Sequence, residues 1–200
     1  MDLVQEARAL LLANRRVTDG YQYTVPSPKT YPYQWLWDSC FHAIVLSAFD
    51  PEGAKAEIRS LLSKQFENGM IPHVIFWERR ISYPFAVFAY GTKGTSSITQ
   101  PPMIAYAAWE IHRHTGDTAF LKEIYPKVLA FYQYLINERD PQDHHLAGII
   151  NPDESGEDNS PRFDDALKVS PDISYLSHLH KRFHLLRANR TCNFDAETCM

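Results

Sequence analysis

Trp35-Leu36-Trp37-Asp38-Ser39-Cys40-Phe41-His42-Ala43-Ile44-Val45-Leu46-Ser47-Ala48-Phe49-Asp50 runs directly into Pro51-Glu52-Gly53-Ala54-Lys55-Ala56-Glu57-Ile58-Arg59-Ser60-Leu61-Leu62-Ser63-Lys64-Gln65-Phe66-Glu67-Asn68. From Cys40 to Phe49 the first stretch is apolar on nearly all sides, as a helix buried in an interior must be. Asp50 supplies an N-cap for the second stretch, and Pro51 fits its first helical position. Asn68-Gly69 is the expected stop of that second helix. Two helices with no loop to spare between them make a helical hairpin, and the remaining helices are joined by loops of very unequal length.

Upstream, Leu3, Ala7, Leu10, Leu11 and Asn14 fall at helical spacing behind a capping Asp2. The prolines at 26, 28 and 32 then exclude regular helix. Downstream, residues 70–95 are irregular and aromatic, with short strands expected at 74–77 and 85–90. A fourth helix is expected from Ser97 to His114, with Pro101-Pro102 in its first turns and Gly116 as its stop. Asp117 caps a fifth, in which Pro126 predicts a break or kink. After an acidic loop a sixth runs from Asp172 to Ala188. Six helices in hairpins, with few strand signals, make the fold class all-α.

The 44% apolar share is enough for a core, and 22% charged residues is ordinary for a globular chain, which excludes disorder. A net charge of −4 speaks against a nucleic-acid partner, which would call for a basic excess. No stretch approaches the ~20 apolar residues of a membrane span. Asp2 and Glu6 precede the first short apolar run, unlike a secretory leader, so the expected location is cytoplasmic. The odd cysteine count, Cys40, Cys192 and Cys199, fits reduced thiols there. Aromatic residues make up 13% and sit beside carboxylates and amides, a mixture that suits a core and equally suits a carbohydrate site.

Chemistry concentrates in Asp153-Glu154-Ser155-Gly156-Glu157-Asp158-Asn159-Ser160-Pro161-Arg162-Phe163-Asp164-Asp165, where six carboxylates fall within thirteen positions. Charge alone reads as a solvated loop. The spacing fails the calcium-loop pattern. Crowded carboxyls raise one another's pKa, and one held protonated can deliver a proton to a leaving oxygen. A second stretch, Tyr31-Pro32-Tyr33-Gln34-Trp35-Leu36-Trp37-Asp38, sets an acid beside two indoles. Asp38 reads as a helix cap or as a hydroxyl binder on a sugar platform of Trp35 and Trp37, and the two are compatible. His73 after Asn68-Gly69-Met70-Ile71-Pro72, and Gln100 before Pro101-Pro102, are each structural if taken alone. His180 and His184 have the spacing of metal ligands but lie on a cationic, solvated helix face, so no metal or other cofactor is expected.

Tyr33-Gln-Trp-Leu-Trp-Asp-Ser-Cys-Phe-His42, Asn68-Gly-Met-Ile-Pro-His73, Ile98-Thr-Gln-Pro-Pro102 and Glu154-Ser-Gly-Glu-Asp-Asn-Ser-Pro-Arg-Phe163 occur in this order. Together they resemble glycoside hydrolase family 63, in particular its bacterial mannosylglycerate and glucosylglycerate hydrolases. The Glu-Ser-Gly-x-Asp core is also similar to the acid motif of trehalases. The resemblance implies an (α/α)6 barrel and an inverting hydrolase of α-glycosidic bonds. It implies Asp158 as the general acid. It implies a subsite for a small carbohydrate substrate lined by Tyr31, Trp35, Trp37, Asp38, His73, Tyr83, Gln100, Asn159 and Arg162. Glu157 departs from the family, which often has an apolar or aromatic residue there.

Twelve helices with their connections need roughly 400 residues. The expectation is therefore the N-terminal half of a single catalytic domain, spanning 1–200, with no second domain and no motif for the general-base glutamate. An inverting site needs two carboxyls about 6.5–9.5 Å apart with water between. The implied partners are a missing C-terminal half or a second copy of the chain. The alternative is a half-barrel that binds sugar without catalysis; a plain helical scaffold would have no use for both Trp-x-Trp-Asp and Glu-Ser-Gly-x-Asp.

Overall fold

The computed structural model describes residues 2–78, 84, 93–157, 160–167 and 192. Five α-helices of more than ten residues dominate them: α1 Leu3–Asn14, α2 Leu36–Leu46, α3 Pro51–Leu62, α4 Ile104–Thr115 and α5 Thr118–Glu138. A single turn, α6 Asp164–Leu167, follows two 3-10 turns at Pro152–Ser155 and Pro161–Phe163. The sixth helix expected at 172–188 lies outside the described residues. Among the described residues no helix is long and apolar enough to cross a membrane.

The caps read at Asp2, Asp50, Asp117 and Gly116 form as expected, whereas the N-cap of α2 is Trp35 and not Asp38. Asp50 Oδ1 accepts from Gly53 N–H at 3.0 Å, and Asp117 Oδ1 from Phe120 N–H at 3.0 Å. Gly116 adopts the left-handed conformation, φ 67°, that ends α4. The buried stripe of α2 is Leu36, Cys40, Ala43 and Leu46. It meets Ala54, Ile58, Leu61 and Leu62 of α3, and Ile104, Ala107, Ala108 and Ile111 of α4. Phe120, Ile124, Phe131, Tyr134 and Leu135 of α5 close the same core. Burial pushes the free Cys40 thiol far up its scale, so it packs as a small hydrophobe. Cys192 is disulfide-bonded, which corrects the expectation of three reduced thiols.

Four departures have physical causes. Residues 15–24 form an antiparallel hairpin that the sequence reading did not place, β1 Arg15–Thr18 with β2 Tyr21–Thr24. Its two-residue turn is Asp19-Gly20, both at positive φ (52° and 80°), the turn chemistry that best matches strand twist. Helix α4 begins at Ile104, after the proline pair, because a residue before proline is pushed out of helical geometry. Helix α3 ends at Leu62, before Asn68-Gly69; Gly69, at φ 95°, instead turns the chain back, its N–H donating to Phe66 O at 2.9 Å. Helix α5 runs unbroken through Pro126, which faces solvent.

A second short pair, β3 Gln34–Trp35 with β4 Val74–Ile75, joins the start of α2 to residues 70–78. Leu36 N–H extends it by donating to His73 O at 3.0 Å, and His73 N–H donates to Ile98 O at 2.7 Å. Three distant stretches of chain therefore meet at the N-terminal end of α2.

Candidate functional site

A two-residue strand turns successive side chains to opposite faces. Gln34 goes inward to a polar cluster and Trp35 goes outward. Leu36 then starts α2 facing the core, which leaves Trp37, and Phe41 one turn on, on the open face; their rings are 5.8 Å apart. Asp38 stands in the first turn, where the helix dipole favours an anion. The Trp37 N–H, one of the donors a helix start leaves without an intrahelical partner, donates to Gln100 Oε1 at 3.1 Å.

Tyr31, Trp35, Trp37, Asp38 and Gln100 line one cavity of about 220 Å3, together with Pro26 and Gly156. Tyr31 packs edge-on to Trp35 with ring centres 5.9 Å apart. His73 is buried and meets Trp35 edge-on at 4.8 Å, so it backs the indole instead of lining the cavity. Gly156 belongs to the Glu-Ser-Gly-x-Asp stretch and sits against the Trp37 ring: a Cβ there would lie 2.8 Å from Cζ2 and 2.9 Å from Cζ3. Arg162 is exposed; its Nη1 donates to Glu157 Oε2 at 2.8 Å, so the unexpected charge at Glu157 has a counter-charge. Tyr83, Asp158 and Asn159 lie outside the described residues.

Two features of the surroundings escape a reading by motif. On the inward side of β3, Gln34 Nε2 donates to Ser60 Oγ at 2.7 Å and to Ser39 Oγ at 3.2 Å, while its Oε1 accepts from Trp77 Nε1 at 2.7 Å. Glu57 Oε1 completes the cluster, accepting from Ser39 Oγ at 2.5 Å and Thr24 N–H at 3.1 Å. Glu57 falls on the same buried stripe as Ala54, Ile58 and Leu61; an acid at an apolar register was its only signal. The other is Arg139, buried at the end of α5 and paired with Glu154.

Burial raises the Glu57 carboxyl from 4.5 to about 7, against the pull of its hydrogen bonds. The folded chain thus holds this proton more tightly than the unfolded chain does. The associated stability is complete below pH 4.5 and is lost as pH rises through about 7. Burial of His73 acts the other way, lowering it from 6.5 to about 3, so stability is present above 6.5 and lost as pH falls toward 3. We predict that Glu57→Gln gains stability over the parent between pH 5 and 8, by at most about 3 kcal/mol. Urea melts at the two pH values check this; a gap that fails to widen with pH refutes it.

Asp140, Asp143 and His145 bring one ligand atom each within 4.8 Å of one another. The Asp140 carboxylate already accepts from His144 N–H at 2.8 Å and His145 N–H at 2.7 Å, and the other two residues are exposed, as in a side-chain-closed turn. His180 and His184 lie outside the described residues.

The family profile described as "Mannosylglycerate hydrolase MGH1-like glycoside hydrolase domain" matches residues 31–197. The chain is 34% identical over 176 residues to mannosylglycerate hydrolase MGH1 of Selaginella moellendorffii, covering 83% of this chain and 36% of the relative. It is 34% identical over 179 residues to the glucosylglycerate hydrolase of Mycolicibacterium hassiacum, covering 80% and 40%. The crystal structure of the GH63 mannosylglycerate hydrolase from Thermus thermophilus with Tris and D-glycerate superposes with a TM-score of 0.86 at 31% identity, covering 98% of this chain and 52% of that one. The chain therefore spans well under two thirds of the proteins it matches.

Proposed function

The chain belongs to the mannosylglycerate hydrolase MGH1-like glycoside hydrolase family, and from that premise we propose that it supplies the proton-donor side of an inverting α-glycosidase site for a small glycoside such as mannosylglycerate or glucosylglycerate. The supporting observation is convergence: Tyr31, Trp35, Trp37 and Asp38 of one stretch and Gln100 of another surround one cavity, and the Glu-Ser-Gly-x-Asp stretch enters its wall at Gly156.

In this reading Asp158, two residues beyond Gly156, is the general acid. It gives its proton to the glycosidic oxygen as the bond to the anomeric carbon breaks. Water attacks the opposite face of the ring, and its proton passes to a glutamate that this chain does not supply by motif. Trp35, Trp37 and Tyr31 present ring faces and edges to the sugar. Asp38 accepts from its hydroxyls. Gln100, with Oε1 held by the Trp37 amide, offers its NH2. His73 backs Trp35, and Tyr83, Asn159 and Arg162 complete the subsite. The architecture is half of an (α/α)6 toroid, one catalytic domain completed by a second half.

Titrating mannosylglycerate, glucosylglycerate and trehalose into the chain while following tryptophan fluorescence tests this. Saturable change with either glycerate glycoside, without release of free sugar, is expected. No response to any of the three defeats the sugar site. Sustained release of sugar by the chain alone defeats the assignment of the base to a second half.

A further inference from the structure

The Arg139 side chain is 1% exposed, as is that of Glu154. A charge so placed is costly to bury unless it is paired and its donors are met. Here Nη1 and Nη2 donate to the two oxygens of Glu154 at 2.8 and 2.6 Å, and Nε donates to Tyr134 Oη at 2.7 Å. Glu154 does more than balance the charge. Its Oε1 also accepts from Thr99 N–H at 3.0 Å, and its Oε2 from Ile150 N–H at 2.8 Å.

One carboxylate thus ties the end of α5 and the loop that leads to the acid motif to the stretch that holds Thr99, 55 positions away. Both of the latter feed the cavity. Gln100 follows Thr99 and takes the Trp37 amide. Gly156 follows Glu154 by two residues and lies on the Trp37 indole. Buried pairs of this kind contribute little net stability over a well-packed apolar substitute, but removing one partner leaves the other uncompensated. What the pair adds is geometry, since two parallel N–H···O bonds fix a carboxylate in position and in plane.

We propose that Arg139 is a positioning residue of the sugar cavity: by clamping Glu154 it holds Gly156 against Trp37 on one side and Gln100 under the Trp37 amide on the other. The cavity's role in sugar binding rests on the reading above, but the clamp is tested without any ligand, so the two fail separately. The chain is labelled with 5-fluorotryptophan, and its resonances for Trp35, Trp37, Trp77 and Trp109 are followed by 19F NMR, with Trp37 assigned by Trp37→Phe. Amide exchange at Thr99 and Ile150 is measured alongside.

In Arg139→Met the Trp37 resonance is expected to shift and both amides to exchange about tenfold faster or more, while Trp109, exposed on α4, keeps its resonance. A folded Arg139→Met with Trp37 and both amides unchanged overturns the proposal. So does a change that moves all four resonances alike, which is the mark of a merely structural role. Should Arg139→Met not fold, Arg139→Lys retains the charge but only a point donor. Tyr134→Phe deletes only the acceptor of Nε. Both are expected to shift Trp37 in the same direction by less, and no shift in either overturns the proposal.

Discussion

On the proposed function, Gly156→Ala is expected to weaken binding of mannosylglycerate or glucosylglycerate by about 100-fold, equivalent to ~2.7 kcal/mol. Two effects combine. The backbone at Gly156 sits at φ 75°, where a side chain costs about 1–3 kcal/mol. The new methyl would also press on the Trp37 ring, 2.8 Å from Cζ2 and closer still to Cη2. Overpacking of this kind costs about 1–3 kcal/mol or displaces the ring. Trp37 has little freedom to retreat, since its own N–H is held by Gln100 and Phe41 packs beside it. Either the acid loop lifts or the indole turns, and both dismantle the floor of the cavity. Gly20→Ala is the control. It has a similar φ of 80° but nothing within 4 Å of the added carbon, so it should lose a little stability and no affinity. Isothermal titration of the two variants decides the matter; equal affinities would show that Gly156 makes room for nothing that matters.

Gly69→Ala is expected to lower the melting temperature by about 10 °C, at ~2–4 °C per kcal/mol for a chain of this size. Gly69 lies at φ 95° and packs against the backbone of α5: a Cβ there would stand 2.9 Å from the carbonyl carbon of Ala130 and closer still to its oxygen. A flexible side chain could yield, but a carbonyl in mid-helix cannot move without α5. Positional strain and overpacking together reach about 2–6 kcal/mol, a large part of the ~5–15 kcal/mol that holds a typical domain folded. Circular dichroism melts check this; a drop of no more than Gly20→Ala produces would show that α5 gives way freely.

The helices were legible because their signals are local. Asp50-Pro51, Asp117 and Gly116 carry capping chemistry within a few residues of where it acts. The hairpin signal at Asp19-Gly20 was equally local, but it is a single dipeptide beside a proline-rich stretch. Trp35, Trp37, Asp38 and Gln100 could be assigned to one site by resemblance, yet nothing in their spacing says that Gln100 takes the Trp37 amide, a contact across 63 positions. Arg139 was not legible at all. Its partner is fifteen residues away, and a basic residue at a helix end is ordinarily read as complementing the dipole. Pro126 makes no break in α5, because the helix is held by the core along Phe120, Ile124, Phe131 and Tyr134.

The cavity wall is unequal in kind. At Gly156 it is main chain with no side chain to vary, and the neighbouring Trp37 indole leaves no room for one. Pro26 and Tyr31, which also line it, come from the stretch between β2 and β3, and Tyr31 is half exposed. Side-chain exchange at positions 26 and 31 can therefore reshape this cavity while the peptide at Gly156 stays fixed.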